Sequence, residues 1–261
     1  MHTALTIAGS DSSGGAGIQA DLKTFAAHRV FGTCAITAVT AQNTLGVTMW
    51  HAVASDLVTA QIEAVAGDLG VDAVKVGMLG NAAIVEAVAA AIAELDLPHV
   101  VVDPVMIAKG GDRLLEAEAV AAVRAELLPL AHVVTPNVPE AEVLSGRTIR
   151  SVDDMRAAGE RILGLGPRVV LIKGGHLEGP ESIDVVCTAH EVFELRRPRI
   201  DTRHTHGTGC TLSSAIAANL AIGLDDRSAL SRARDYLDGA IRHAPGLGRG
   251  HGPLGHFWQL Y

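Results

Sequence analysis

Short runs of β-branched and aliphatic residues alternate along this chain with longer Ala- and Leu-rich segments. ALTIA (4–8), CAITAVT (34–40), AVKVG (73–77), HVVVDP (99–104), HVVTP (132–136) and RVVLIKG (168–174) have the length and composition of strands. Between them, helical patterns fall over 17–29, 55–69, 81–95, 115–127 and 153–164. This alternation predicts an α/β fold, a mostly parallel sheet with helices on both faces. The strand runs are apolar at nearly every position, as expected where both faces are covered. SIDVVCTA and HEVFELRRPRI then predict an antiparallel pair, followed by helices over about 209–222 and 226–243. Residues 1–261 read as one domain with no linker and no internal repeat. Ligands of such sheets bind beyond the carboxyl ends of the strands. That rule points to the loops GSDSSGGAG, AQNT, GMLG, DPVM, TPNVPE, KGGH and HGTGC.

Composition narrows the function classes. The chain has 261 residues, 48% hydrophobic and 19% charged, which is ample for a core. Its formal net charge of −8 excludes the basic face of a nucleic-acid binder. An acidic protein that handles phosphates must place its positive groups locally. Three cysteines without a C-x-x-C pair imply a reducing, cytoplasmic setting rather than a disulfide framework. MHTALTIAGSD lacks the basic start of a signal peptide, and no uninterrupted apolar stretch reaches the roughly 18 residues of a membrane span.

Several loops carry candidate chemistry. GAGIQA (15–20) fits the loose dinucleotide pattern, but its glycines come well after the strand, and the next strand ends in Ala41-Gln42-Asn43 with no acid. A nicotinamide enzyme is therefore not expected, and no P-loop motif exists. The loop reads either as a flexible helix-capping turn or as a backbone-rich cover for a small polar substrate, with Asp21 one turn into the helix. Gln42 either ties down its loop or offers one acceptor and two donors to a heterocycle. Asp103 precedes Pro104 at a strand end. Asn137 and Glu140 have the spacing of ordinary helix capping. Asp103, Asn137 and Glu140 at neighbouring strand ends together favour an oxygen-rich patch near Mg²⁺, held largely through water. Lys173, at a strand end before two glycines, suits a clamp for phosphate oxygens.

HTHGTGC (204–210) places a thiol where a glycine turn enters a helix. His204, His206 and Cys210 match no common zinc spacing. Burial of Cys210 as a small apolar side chain is the plain alternative. Gly207 and Gly209 instead let backbone N–H groups converge, and the helix adds a positive dipole end, which together form an anion site. A thiol at a helix N-terminus is expected to have a lowered pKa, making Cys210 a candidate general base.

IAGSDSSGGAGIQADLKTF, TAVTAQNTLGV, VKVGML, DPVM, TPNVPEAE, KGGH, THGTGCTLSSAIA and HGPLGHFW occur in this order over nearly the whole chain. Together they resemble the hydroxymethylpyrimidine/phosphomethylpyrimidine kinases of thiamine biosynthesis, in the ribokinase-like superfamily. The resemblance implies transfer of the ATP γ-phosphate to 4-amino-5-hydroxymethyl-2-methylpyrimidine, and then to its monophosphate. It implies that Gln42 contacts the pyrimidine, with Asp21, Gly9 and Met78 nearby. Cys210 becomes the base, with Gly207 and Gly209 beside it in the turn that stabilises the transferring group. Lys173, Thr208 and Gly209 lie along the ATP phosphates, and Asn137 and Glu140 match an N-x-x-E pattern linked to Mg²⁺ and phosphate. A homodimer is expected on the same ground. Ser13 stands where a further glycine is expected. The nearest alternative is a pyridoxal kinase. A catalytically silent pyrimidine-binding protein is a different class, against which Lys173, Glu140 and the HGTGC turn speak.

Overall fold

The computed structural model describes residues 1–106 and 116–260. Its strands send alternate side chains to opposite layers. Leu5 and Ile7 of β1 (Thr3–Ala8) enter one core, and Ala4 enters the other. Val74 and Val76 of β5 (Ala73–Val76) and Val100 and Val102 of β6 (Val100–Val102) join the first core. Ala73 and Val101 join the second. The period of two meets an apolar layer on each side, which explains why these strands read as continuous apolar runs.

Completing the main sheet are β2 (Phe31–Ile36), β7 (Val133–Val134), β8 (Val169–Ile172), β9 (Glu181–Thr188) and β10 (Val192–Pro198). The order is β10-β9-β8-β7-β6-β5-β1-β2. Pairing is parallel from β2 to β8 and antiparallel for β8–β9 and β9–β10. The first core is covered by α2 (Ser55–Asp68), α3 (Ala82–Glu94), α4 (Ala117–Ala122), α5 (Val138–Ser145) and α6 (Val152–Leu163). The second is covered by α1 (Gly17–Ala27), α7 (Thr208–Ala221) and α8 (Asp226–Arg242). Successive strands are added towards opposite edges of the sheet on either side of the β1–β5 pair, so the loops beyond their carboxyl ends open a crevice. Among the described residues, no helix is long and apolar enough to cross a membrane.

The ribokinase-like layering agrees with the sequence, and three elements differ. The run predicted as one strand over 34–40 is two. It leaves the main sheet at Thr37, whose Oγ1 donates to the Met78 carbonyl at 2.6 Å. It then continues as β3 (Ala38–Asn43), paired with β4 (Gly46–Ala52) in a second, two-stranded sheet. The turn is closed by Asn43 Oδ1, which accepts from Leu45 N–H at 2.8 Å. The predicted helix over 115–127 starts at a residue outside those described. Its described part is α4 followed by a wider π turn over Val123–Leu127. Finally, HVVTP yields only a two-residue β7.

Candidate functional site

A cavity of about 720 Å³ lies beyond the carboxyl ends of the strands. Gly9 follows β1, Met78 follows β5, Asp103 follows β6, Asn137 follows β7 and Lys173 follows β8, and all five line it. Gln42, Glu140, Gly207, Thr208, Gly209 and Cys210 line it as well.

At one end the charges are dense. Lys173 Nζ donates to Asp103 Oδ1 at 2.8 Å and stands 3.9 Å from Glu140 Oε2. Asn137 and Glu140 form a complete capping box at the start of α5. Asn137 Oδ1 accepts from Glu140 N–H at 2.9 Å, and Glu140 Oε2 accepts from Asn137 N–H at 2.8 Å. The two readings of this pair are therefore compatible, since capping fixes the carboxyl at the cavity wall. Burial pushes Glu140 up to about 7, with Asp103 adding to the rise and Lys173 opposing it. Burial also works against the Lys173 charge, but Asp103 and Glu140 outweigh it and hold its pKa above the ordinary value. Two dehydrated carboxylates at one wall are hard oxygen donors of the kind Mg²⁺ takes. Among the described residues, no cluster of three or more His, Cys, Asp or Glu is arranged as a metal site.

The HGTGC turn closes over this end. A Cβ on Gly209 would lie 3.1 Å from Asp103 Oδ2 and 3.2 Å from Lys173 Nζ, so the turn packs tightly on both charges and a larger residue would have to push them aside. Gly207 is the N-cap of α7 with φ of 83°, and α7 begins with no side-chain cap. α1, which begins at Gly17 beside the same cavity, has none either. Cys210 stands in the first turn of α7, with the Gly17 N–H near enough to its thiol to favour the thiolate slightly. The sequence predicted a lowered pKa here, and the structure reverses it. Although the side chain keeps some exposure to the cavity, burial pushes the thiol up to about 11 against the pull of the Lys75 charge.

At the other end, one face of the small sheet forms the wall. Thr40 opposite Trp50 and Gln42 opposite Val47 line the cavity. The Gln42 backbone is pinned in both directions to Ser12 Oγ, at 2.8 and 2.7 Å. Met78 packs its sulfur against Gly9, and its carbonyl accepts from Gly9 N–H at 3.2 Å.

Asp21 alone among the sequence candidates does not line the cavity. It is fully buried beneath the floor, accepting from Thr6 Oγ1 at 2.6 Å, Lys75 Nζ at 2.8 Å and Ser214 Oγ at 2.7 Å. Its three partners leave it as the support of a buried cation. Lys75 was missed in the sequence, where it passes as a strand residue; a lysine inside the apolar run AVKV was the available signal. Burial disfavours its charge, but Asp21 more than compensates and raises its pKa. Asp11 and Arg234 also line the cavity and were missed. Arg234 stands 3.1 Å from Asp184 and 3.0 Å from Asp238. His206, considered for metal ligation, instead meets Asp11 at 2.7 Å.

A family model described as phosphomethylpyrimidine kinase matches residues 11–255. A hydroxymethylpyrimidine/phosphomethylpyrimidine kinase of Synechococcus elongatus is 52% identical, over 99% of this chain and 98% of that protein. The fold is similar to a solved phosphomethylpyrimidine kinase of Clostridium difficile, with TM-score 0.83 and 44% identity over 92% of this chain and all of that one. It is similar also to a Bacillus subtilis pyridoxal kinase solved with ADP, with TM-score 0.93 and 42% identity over 100% of this chain and 99% of that one.

Proposed function

The chain belongs to the phosphomethylpyrimidine kinase family, and from that premise we propose how its cavity performs two successive phosphorylations. ATP phosphorylates the hydroxymethyl group of 4-amino-5-hydroxymethyl-2-methylpyrimidine and then the resulting monophosphate, as a step of thiamine biosynthesis. The pyrimidine takes the end walled by Gly9, Gln42 and Met78. The ATP phosphates take the end walled by Lys173, Thr208, Asn137 and Asp103, and residues 1–261 act as one kinase domain.

The observation that carries this arrangement is the position of Cys210. Its neighbour Gly209 is packed on Asp103 and Lys173, while its thiol lies near the backbone N–H of Gly17, which packs on Gly9. The thiol therefore stands where the two ends meet. Phosphoryl transfer asks the protein chiefly for positioning and charge stabilisation. Lys173 offsets charge on the phosphates, and the backbone N–H groups from Gly207 to Cys210 receive the transferring group. Cys210 accepts the alcohol proton in the first step. Glu140 and Asp103 would hold Mg²⁺, which when bound neutralises charge on the phosphate oxygens. The three cysteines are free thiols, in keeping with a cytoplasmic enzyme. The outer face of the small sheet exposes Val39 and Met49 and suits a homodimer contact.

The test is ATP-dependent turnover of three compounds by the purified protein: the hydroxymethylpyrimidine, its monophosphate and pyridoxal. Turnover of the monophosphate supports the proposal. Turnover of pyridoxal alone replaces it with a vitamin B6 kinase, the reading favoured by the pyridoxal kinase neighbour.

A further inference from the structure

Asp11 connects the two ends of the cavity. Its carboxylate is almost fully buried, yet every contact it makes is to a loop that faces a substrate. Oδ1 accepts from the Ser13 N–H and Ser13 Oγ, both at 2.8 Å. Oδ2 accepts from Gly15 N–H at 3.1 Å and Ala16 N–H at 2.8 Å, which shapes the loop up to the start of α1. The same Oδ2 accepts from His206 Nε2 at 2.7 Å, a residue 195 positions away in the chain. Burial alone would raise the Asp11 pKa, but the hydrogen bonds from His206 and Ser13 outweigh it and hold the carboxyl below the ordinary range.

His206 immediately precedes Gly207, the N-cap of α7. The two loops also touch through their backbones, because a Cβ on Gly207 would collide with the carbonyl oxygen of Gly15. On the other side, Ser12 next to Asp11 exchanges both hydrogen bonds with the Gln42 backbone. The Asp11 N–H donates to Gln19 Oε1 at 2.8 Å, which ties this hub to α1. A continuous polar path thus runs from Gln42 through Ser12, Asp11 and His206 to the first turn of α7. The Ser12 link reaches the β3 backbone at Gln42, and the Asp11–His206 contact joins two loops that lack regular secondary structure of their own. Ligand-binding loops of this kind belong to the less stable part of a fold.

We propose that Asp11 and His206 are positioning residues that couple the two halves of the cavity, so that the pyrimidine and ATP each bind more tightly when the other is present. This rests on the assignment of the pyrimidine to the Gln42 end and of the phosphates to the α7 turn. A pyrimidine held between Gly9 and Gln42 fixes the 9–17 loop. Through the Asp11–His206 contact that fixes the turn at Gly207, and the second ligand then meets a site already ordered. Linkage makes the effect reciprocal. Such coupling suits a kinase, because a phosphate-receiving turn assembled without its acceptor would expose ATP to water.

The experiment is isothermal titration of a non-hydrolysable ATP analogue, with and without saturating 4-amino-5-hydroxymethyl-2-methylpyrimidine, together with the reverse titration. In the unaltered protein the two affinities should rise by the same factor, about 5- to 150-fold. Asp11→Asn and His206→Leu should bring that factor towards one. The double variant should lose no more than either alone. His206→Gln, which keeps a side-chain N–H of similar reach, should restore part of it. A role limited to folding would weaken each binary affinity and leave the factor intact, and that result overturns the proposal. So does the absence of coupling in the unaltered protein. Failure of the unaltered protein to bind either ligand would overturn the assigned activity as well. Binding of both with an unchanged factor in the variants sinks the coupling alone. If Asp11→Asn does not fold, the His206→Leu and His206→Gln pair decides the question.

Discussion

Cys210 is a thiol in a position where a carboxylate would meet the second substrate as a like charge. The first nucleophile is a neutral alcohol that must lose a proton, and the second is a phosphate ester already anionic at neutral pH. Cys210→Ala should therefore cost the first step about 10²- to 10⁴-fold, the usual worth of a positioned base, and the second step far less. Single-turnover rates for both substrates check this, and equal losses would remove Cys210 from the role. With the thiol pushed up to about 11, kcat/KM for the alcohol should rise with pH between 7 and 10 while that for the monophosphate stays level. Burial acts on Glu140 in the same direction. An acid held at about 7, above its unfolded value of 4.5, binds its proton more tightly in the folded state. The stability this gives is fully present below about 4.5 and is lost as pH rises through 7, on the order of 3 kcal/mol. Glu140→Gln keeps an oxygen for the Asn137 N–H and removes the charge. Thermal unfolding of the metal-free variant should shift upward at pH 8 and gain nothing at pH 4, while kinase activity falls. A lower midpoint at pH 8 would show that the charge is stabilised in place.

At the scale of elements, the start of α7 contrasts with several other helix starts. Asn81, Asn137, Ser151 and Asp225 cap α3, α5, α6 and α8 with side-chain oxygens. α7 starts on Gly207 with no such cap, in a left-handed conformation that costs other residues about 1–2 kcal/mol. Gly207→Ala adds a collision with the Gly15 carbonyl to that cost and should abolish measurable turnover even where the protein stays folded. Asp225→Ala removes the α8 cap at the opposite end of the sheet and should cost about 1 kcal/mol of stability with activity retained. Circular dichroism melts beside activity assays separate the two. Strand-end candidates such as Asp103 and Lys173 were legible because the periodicity located the strands and the sheet rule located their ends. The β3–β4 sheet was missed because Cys34–Thr40 has uniform strand propensity, and nothing local marks the change of sheet at Thr37.

At the scale of the molecule, the small sheet has two fates for its two faces. Thr40, Gln42, Val47 and Trp50 turn to the cavity, while Val39 and Met49 remain 56% and 62% exposed on the other side. On the homodimer proposed above, the same small sheet would serve both the contact and the cavity wall. Met49→Asp should shift sedimentation from dimer towards monomer and weaken pyrimidine binding with it. A monomeric unaltered protein would refute the assembly.

Hydrophobic periodicity, strand-end residues and the ordered motifs were enough to determine the layered α/β fold, the family and most of the cavity wall. These signals are local, since each depends on residues within a turn or a strand of one another. Tertiary structure alone decided that Asp21 lies under the floor with Lys75, 54 positions away, and that His206 answers Asp11 rather than a metal. It also decided that the Cys210 thiol is raised rather than lowered. Burial and pairing are properties of what surrounds a group in space, and the chain order around these residues does not carry them.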